Sequence, residues 1–270
     1  MNKIKTYIVD SFTDEPFKGN PAGVCLMEVK IEDDTMLRIA KELGFSETAF
    51  ITQKEEGLFD IRFFSPIMEI PLCGHATLAS SKVVFERNPE LKKVSFINTQ
   101  GIDLEIVLVE NEIIMKFPLY STQRSKASEP LLNALGITSI KNAEYNKETN
   151  ILLIEIDDSE RLKSLQPDFE SLKKSINSIN GVLITSKSNQ PEFDFESRYF
   201  WPWSGTNEDP VTGGTHTFLT PYWAKRLNKK KMNSFQCSER TGQMEVEIQD
   251  EKWFTIKSTA RIVFEGDLKL

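Results

Sequence analysis

The second half of this 270-residue sequence repeats the first, and that constrains the fold more than any single motif. LFDIRFFSP at Leu58–Pro66 resembles FDFESRYFWP at Phe193–Pro202, with Arg62 matching Arg198 at an offset of 136 residues. CGHATLA at Cys73–Ala79 is followed by GGTHTFL at Gly213–Leu219, with Gly74 matching Gly214 at an offset of 140. TQGIDLEIVL from Thr99 resembles SERTGQMEVEI from Ser238, with Gly101 matching Gly242 at an offset of 141. Three segments in one order at a nearly constant offset predict two similar α/β halves. Duplicated halves usually enclose a cleft, and ligand sites favour such interfaces.

Local patterns supply the elements. Lys3–Val9, Ala22–Leu26, Thr48–Thr52, Leu58–Ser65 and Val94–Asn98 read as strands. Asp103–Val109 and Glu112–Phe117 read as a hairpin turning at Glu110-Asn111. Asp33–Leu43 reads as a helix, with Asp33 or Asp34 as N-cap and Gly44 as its stop. Pro118 closes the first half, and polar Ser121–Pro130 suits a hinge. The short basic run Lys229–Lys231 reads as a solvated turn.

Composition narrows the function classes. A net charge of -7 argues against nucleic acid as a partner, because phosphate contacts need a basic surface. It does not exclude a small anionic substrate, since a local site can oppose the global charge. Cys25, Cys73 and Cys237 are odd in number and widely spaced, unlike a disulfide framework. No CxxC or Cys/His ligand cluster is read from the sequence, which argues against a structural zinc site. The N-terminus lacks an apolar signal core, and no apolar run approaches the roughly 20 residues of a membrane span. These features predict a reduced, cytoplasmic setting without membrane contact.

The only two histidines, His75 and His216, fall inside the two glycine-containing helix openings. Such openings offer unpaired N–H groups and a positive dipole end, which suit a small carboxylate. They are also what two ordinary strand-to-helix turns would look like. Neither has complete GxGxxG or Walker spacing, so nucleotide binding is poorly supported.

These segments carry a family resemblance. IVDSFTDEPFKGNPAGV at Ile8–Val24, GFSETAF at Gly44–Phe50, CGHATLAS at Cys73–Ser80 and EDPVTGGTHTFLTPYW at Glu208–Trp223 resemble, in order, the signatures of the phenazine-biosynthesis PhzF family. The resemblance runs from Ile8 to about Gly266. It implies the diaminopimelate-epimerase-like α/β (α+β) fold: two homologous halves, each a central helix wrapped by strands, with a cleft between them. The last strand would return to the first half. The expected half-domains are therefore 1–118 with 259–270, and 119–258.

The resemblance also implies roles. Glu47 matches the family's catalytic glutamate, and a carboxylate in an apolar cleft can take and return a proton near neutral pH. His75 and Asp209 match active-site positions: the first for a substrate carboxylate or proton movement, the second for an amine or for orienting a neighbour. Asn20, before Pro21, suits a substrate contact or a turn. Gly74, Gly213, Gly214 and Thr215 would offer backbone or hydroxyl contacts. The implied activity is a cofactor-free, metal-free isomerisation of a small unsaturated carboxylic acid, in a possible homodimer. The family often has serine where Gly214 stands, so a hydroxyl contact is lost unless Thr215 replaces it.

Two other readings stay open. One is an amino-acid epimerase or racemase pairing Glu47 with Cys73 or Asp209. The two-thiol version is excluded, because the repeat partner of Cys73 is Gly213 and no cysteine lies between Arg198 and Gln236. The thiol of Cys73 would then serve mainly as packing. The other is a non-catalytic binding protein on the same scaffold.

Overall fold

The computed structural model describes residues 3–29, 31–204 and 206–270. The chain forms two compact units, Met1–Lys116 with Ile256–Leu270, and Phe117–Thr255. In the first, Lys3–Ser11 pairs antiparallel with both Asn20–Leu26 and Ala260–Lys269. Asn20–Leu26 runs parallel to Thr48–Glu55, which pairs antiparallel with Leu58–Phe64. That strand runs parallel to Lys93–Ile97, which pairs antiparallel with Asp103–Val109. The helix Asp33–Leu43 joins the first parallel pair and Gly74–Arg87 joins the second.

The second unit repeats this ladder. Ile151–Glu155 runs parallel to Gly181–Lys187, which pairs antiparallel with Phe195–Trp201. Phe195–Trp201 runs parallel to Lys231–Gln236, which pairs antiparallel with Gly242–Ile248. His216–Leu227 is the counterpart of Gly74–Arg87. The duplication read from three segment matches is thus a duplication of strand order and direction.

The helix Asp33–Leu43 has its predicted bounds, and Gly44 ends it in the left-handed region at φ 71°. Its N-cap, however, is Glu32, so Asp33 and Asp34 lie within the first turn. There their charges favour the positive end of the helix dipole without capping it.

The helices Gly74–Arg87 and His216–Leu227 differ from ordinary surface helices. Ten of the eleven positions from His75 to Phe85 are buried, all but Lys82, so no continuous polar face exists there. Small side chains let strands approach closely, and the buried hydroxyls bond back to the helix itself. Thr77, Ser80 and Ser81 donate to the carbonyls of Cys73, Ala76 and Thr77 at 2.7 Å each. In the second helix Pro221 cannot donate to the carbonyl of Thr217. The backbone N–H of Tyr120 takes that carbonyl instead, at 2.9 Å.

Each unit also repeats an arginine clamp. Arg62 forks onto Glu69 at 2.8 and 2.7 Å, bonds Asp33 at 2.6 Å and lies 5.1 Å over the Phe64 ring. Arg198 forks onto Glu208 at 2.7 Å twice and lies 4.9 Å over the Phe200 ring. Its remaining nitrogen donates to the carbonyls of Leu162, Lys163 and Leu165, closing the end of the helix Ser159–Ser164. Planar, forked guanidinium geometry makes these sites intolerant of lysine. The second clamp is the more buried, with Arg198 9% exposed against 21% for Arg62. Arg198→Met should therefore cost about 3–5 kcal/mol by stranding Glu208, and Arg62→Met distinctly less. All four tryptophans lie in the second unit, so their fluorescence during urea unfolding measures the first effect, and far-ultraviolet circular dichroism the second.

Candidate active site

The first unit gathers Glu47, His75 and Cys73. Glu47 sits in the short link between the helix cap at Gly44 and the strand starting at Thr48. Its carbonyl accepts from the Gly23 N–H at 3.4 Å. A Cβ on Gly23 would come within 2.9 Å of the Thr48 hydroxyl and 3.0 Å of the Leu43 side chain. Glycine is needed there for the Glu47 link to lie against the neighbouring strand. His75 is the second residue of the helix Gly74–Arg87, and the Ser11 hydroxyl donates to its carbonyl at 2.8 Å. Ser11 is in turn the register partner of Asn20, which is fully buried at the head of its strand.

The side chains converge. His75 Nε2 lies 3.3 Å from Glu47 Oε2, and Cys73 Sγ lies 3.4 Å from His75 Nδ1. Each of the three residues keeps less than a tenth of its surface exposed. Burial holds the His75 imidazole below its ordinary pKa, and the Glu47 carboxylate only partly opposes this. A neutral ring has one N–H. Placed on Nε2 it donates to Glu47 and leaves Nδ1 to accept from the Cys73 thiol. Spacing in the sequence did not reveal this trio, because Glu47 lies well upstream of Cys73 and His75. Cys73 was expected mainly to pack; it also touches the imidazole. Ser11 and Gly23 carried no separate signal, since both were read only within the longer opening motif.

The second unit gathers Asp209, Gly213, Gly214 and Thr215. Asp209 ends the strand Thr206–Asp209, one residue beyond the clamped Glu208, and accepts from the Thr212 hydroxyl. Gln236 donates to the Asp209 carbonyl at 2.7 Å and accepts from the Thr212 N–H at 2.8 Å. The helix itself begins at His216, so Gly213, Gly214 and Thr215 form the turn before it. The Thr215 hydroxyl donates to the Thr212 carbonyl at 3.1 Å, so its proton does not replace the hydroxyl missing at Gly214. A Cβ on Gly214 would meet nothing within 4 Å.

His216 behaves unlike His75, the histidine of the other helix opening. Its Nδ1 faces the Thr212 carbonyl and its Nε2 the Ser234 hydroxyl, both at 3.1 Å. A carbonyl can only accept, which fixes the proton on Nδ1 of the neutral ring. This histidine is part of the packing, as is common for buried histidines.

The pattern of the phenazine biosynthesis-like protein family, PhzC-PhzF, matches residues 9–266. An "uncharacterized isomerase" of Pseudomonas aeruginosa is 37% identical, covering 99% of this chain and all of its own. A PhzF family crystal structure from Enterococcus faecalis superposes with a TM-score of 0.91 at 35% identity, covering both chains fully. The chain belongs to the PhzF family. A hydroxyproline epimerase from Agrobacterium vitis shares the fold at a TM-score of 0.60 and 11% identity, covering 98% of this chain and 92% of its own. The PhzF fold here is thus the duplicated α/β fold of the diaminopimelate-epimerase-like class. Among the described residues, no helix is long and apolar enough to cross a membrane.

Burial of His216 has a measurable consequence. Its pKa is lowered to about 4 from an ordinary 6.5, chiefly by desolvation. Between these values the unfolded chain binds a proton that the folded one refuses. Stability is therefore fully present above about pH 6.5 and is lost as pH falls toward about 4. The loss should be about 3 kcal/mol. Tryptophan-monitored unfolding at stepped pH should show this slope, and His216→Gln, which cannot titrate, should remove that share of it.

Proposed function

We propose that this protein is a cofactor-independent isomerase that moves a proton within a small unsaturated carboxylic acid, with Glu47 as the acid/base. The observation that carries the reading is the burial of Glu47 with one oxygen against His75. An isomerase is also what the P. aeruginosa relative is named.

In this reading Glu47 takes a proton from a carbon made acidic by conjugation with the substrate carboxylate. The electron pair moves into the conjugated system, the double bond shifts, and protonated Glu47 returns the proton to another carbon on the same face. One carboxylate completes the cycle, with no electron or group transfer left for a cofactor to perform. Neutral His75 donates to Glu47 and fixes the direction of its oxygens. Backbone N–H groups at Gly74 in the first unit, and at Gly213 and Gly214 in the second, each suit a carboxylate. Asn20 and Thr215 supply polar contacts, and Asp209 receives an amine or orients a neighbour. The family resemblance further suggests a cytoplasmic homodimer.

The contact of Cys73 with His75 favours one second reading, an epimerase in which Glu47 and Cys73 work on opposite faces of a stereocentre.

Proton exchange into deuterated water, measured over a panel of small unsaturated carboxylic and amino acids, separates these readings. Glu47→Gln should fold normally and slow exchange by about 10²–10⁴-fold. Cys73→Ala should retain most of the exchange under the isomerase reading and lose it under the epimerase one. Exchange in Glu47→Gln as fast as in the parent would end both, and no exchange by any variant would favour a binding protein. Gly214→Ser, which the open space admits, should leave the melting temperature unchanged and alter KM more than kcat.

A further inference from the structure

The trio Glu47, Cys73 and His75 is also a set of metal-ligand types. Carboxylate oxygen, thiolate sulfur and imidazole nitrogen are the three donors that proteins offer to zinc. All three candidate ligand atoms lie within 4.8 Å of one another. Zinc–ligand distances of about 2.0–2.3 Å in a tetrahedron require neighbouring ligands about 3.3–3.6 Å apart. Here Glu47 Oε2 and His75 Nε2 are 3.3 Å apart, and Cys73 Sγ is 4.0 Å from that nitrogen. Cys73 Sγ is nearer to Nδ1, at 3.4 Å, so closing around an ion at Nε2 would need the thiol to turn toward that nitrogen and the ring proton to move from Nε2 to Nδ1.

Charge and donor type agree. A carboxylate, a thiolate and a neutral imidazole sum to two negative charges, which a divalent cation cancels. Loading would therefore leave no net charge in a buried place. Magnesium and calcium, which prefer oxygen cages, match this set poorly. Three protein ligands leave a fourth position open.

We propose that Glu47, Cys73 and His75 bind a borderline divalent cation, zinc foremost, as a reversible blocking ligand at this site. Binding releases the Cys73 thiol proton to solvent, and the sulfur and carboxylate donate electron pairs to the ion. No oxidation is involved. The ion would then occupy both Glu47 and the imidazole that orients it. The blocking consequence rests on the isomerase reading above; the binding does not.

The full chain, stripped with chelator, is titrated with zinc chloride against a chromophoric chelator, and separately with cobalt chloride without oxygen. The expected result is a single equivalent per chain, with a thiolate-to-cobalt charge-transfer band. Cys73→Ala should abolish that band, and Glu47→Gln and His75→Gln should each weaken zinc binding by about 10–100-fold or more. Bound zinc should also protect Cys73 of the unmodified chain from alkylation, which keeps the test valid if a variant misfolds. Among the described residues, neither Cys25 nor Cys237 belongs to such a donor cluster. No binding, binding without the band, or equal affinity in the folded variants would each overturn the proposal. These readouts use no substrate, so absence of proton exchange would defeat the isomerase reading alone.

Discussion

A helix wrapped by strands on every side cannot divide its surface into an apolar and a polar face. It has to be narrow enough for backbones to approach, and any polar side chain it carries has to be satisfied without water. Gly74–Arg87 meets both demands with alanine, serine and threonine. The three hydroxyls turn back onto carbonyls of their own helix. His216–Leu227 meets them in part, with Thr217, whose hydroxyl bonds the Gly214 carbonyl, and with Tyr120, which serves the carbonyl that Pro221 abandons, while the buried Thr220 hydroxyl is left without a partner. The strand ladder of each unit is arranged around such a helix. The candidate site residues lie at the two helix openings and in the links beside them.

The arginine clamps show how one inherited device diverged. Both guanidiniums fork onto a glutamate and lie over a phenylalanine two residues along the same strand. The third contact differs: Arg62 reaches a carboxylate at the start of a helix, whereas Arg198 caps the end of one. Both choices obey the helix dipole, since an anion suits the first turn and a cation the last. The clamp of the second unit ends one residue from Asp209, so its rigidity passes directly to a candidate site residue.

The histidines diverged further. Their places in the two helix openings, one residue apart in the repeat, suggested a shared role. The ring of His75 faces a carboxylate and a thiol, while that of His216 faces a backbone carbonyl and a serine. Motif position was legible in the sequence, but ring direction was not, because it depends on which strands pack against each helix opening. The same limit hid the contact between Cys73 and His75, and the role of Gly23 in admitting Thr48.

The duplication, the bounds of Asp33–Leu43 and the family were legible along the chain, because periodicity, helix stops and ordered motifs are local properties. The sequence also marked Glu47 through the SETAF segment. That Glu32 precedes the first helix, that His216 opens the second buried one, and that Glu47, Cys73 and His75 meet emerged with the folded chain. Those outcomes turn on burial and on contacts between residues far apart in sequence. No local pattern encodes them, because each depends on what the rest of the fold brings within a few ångströms.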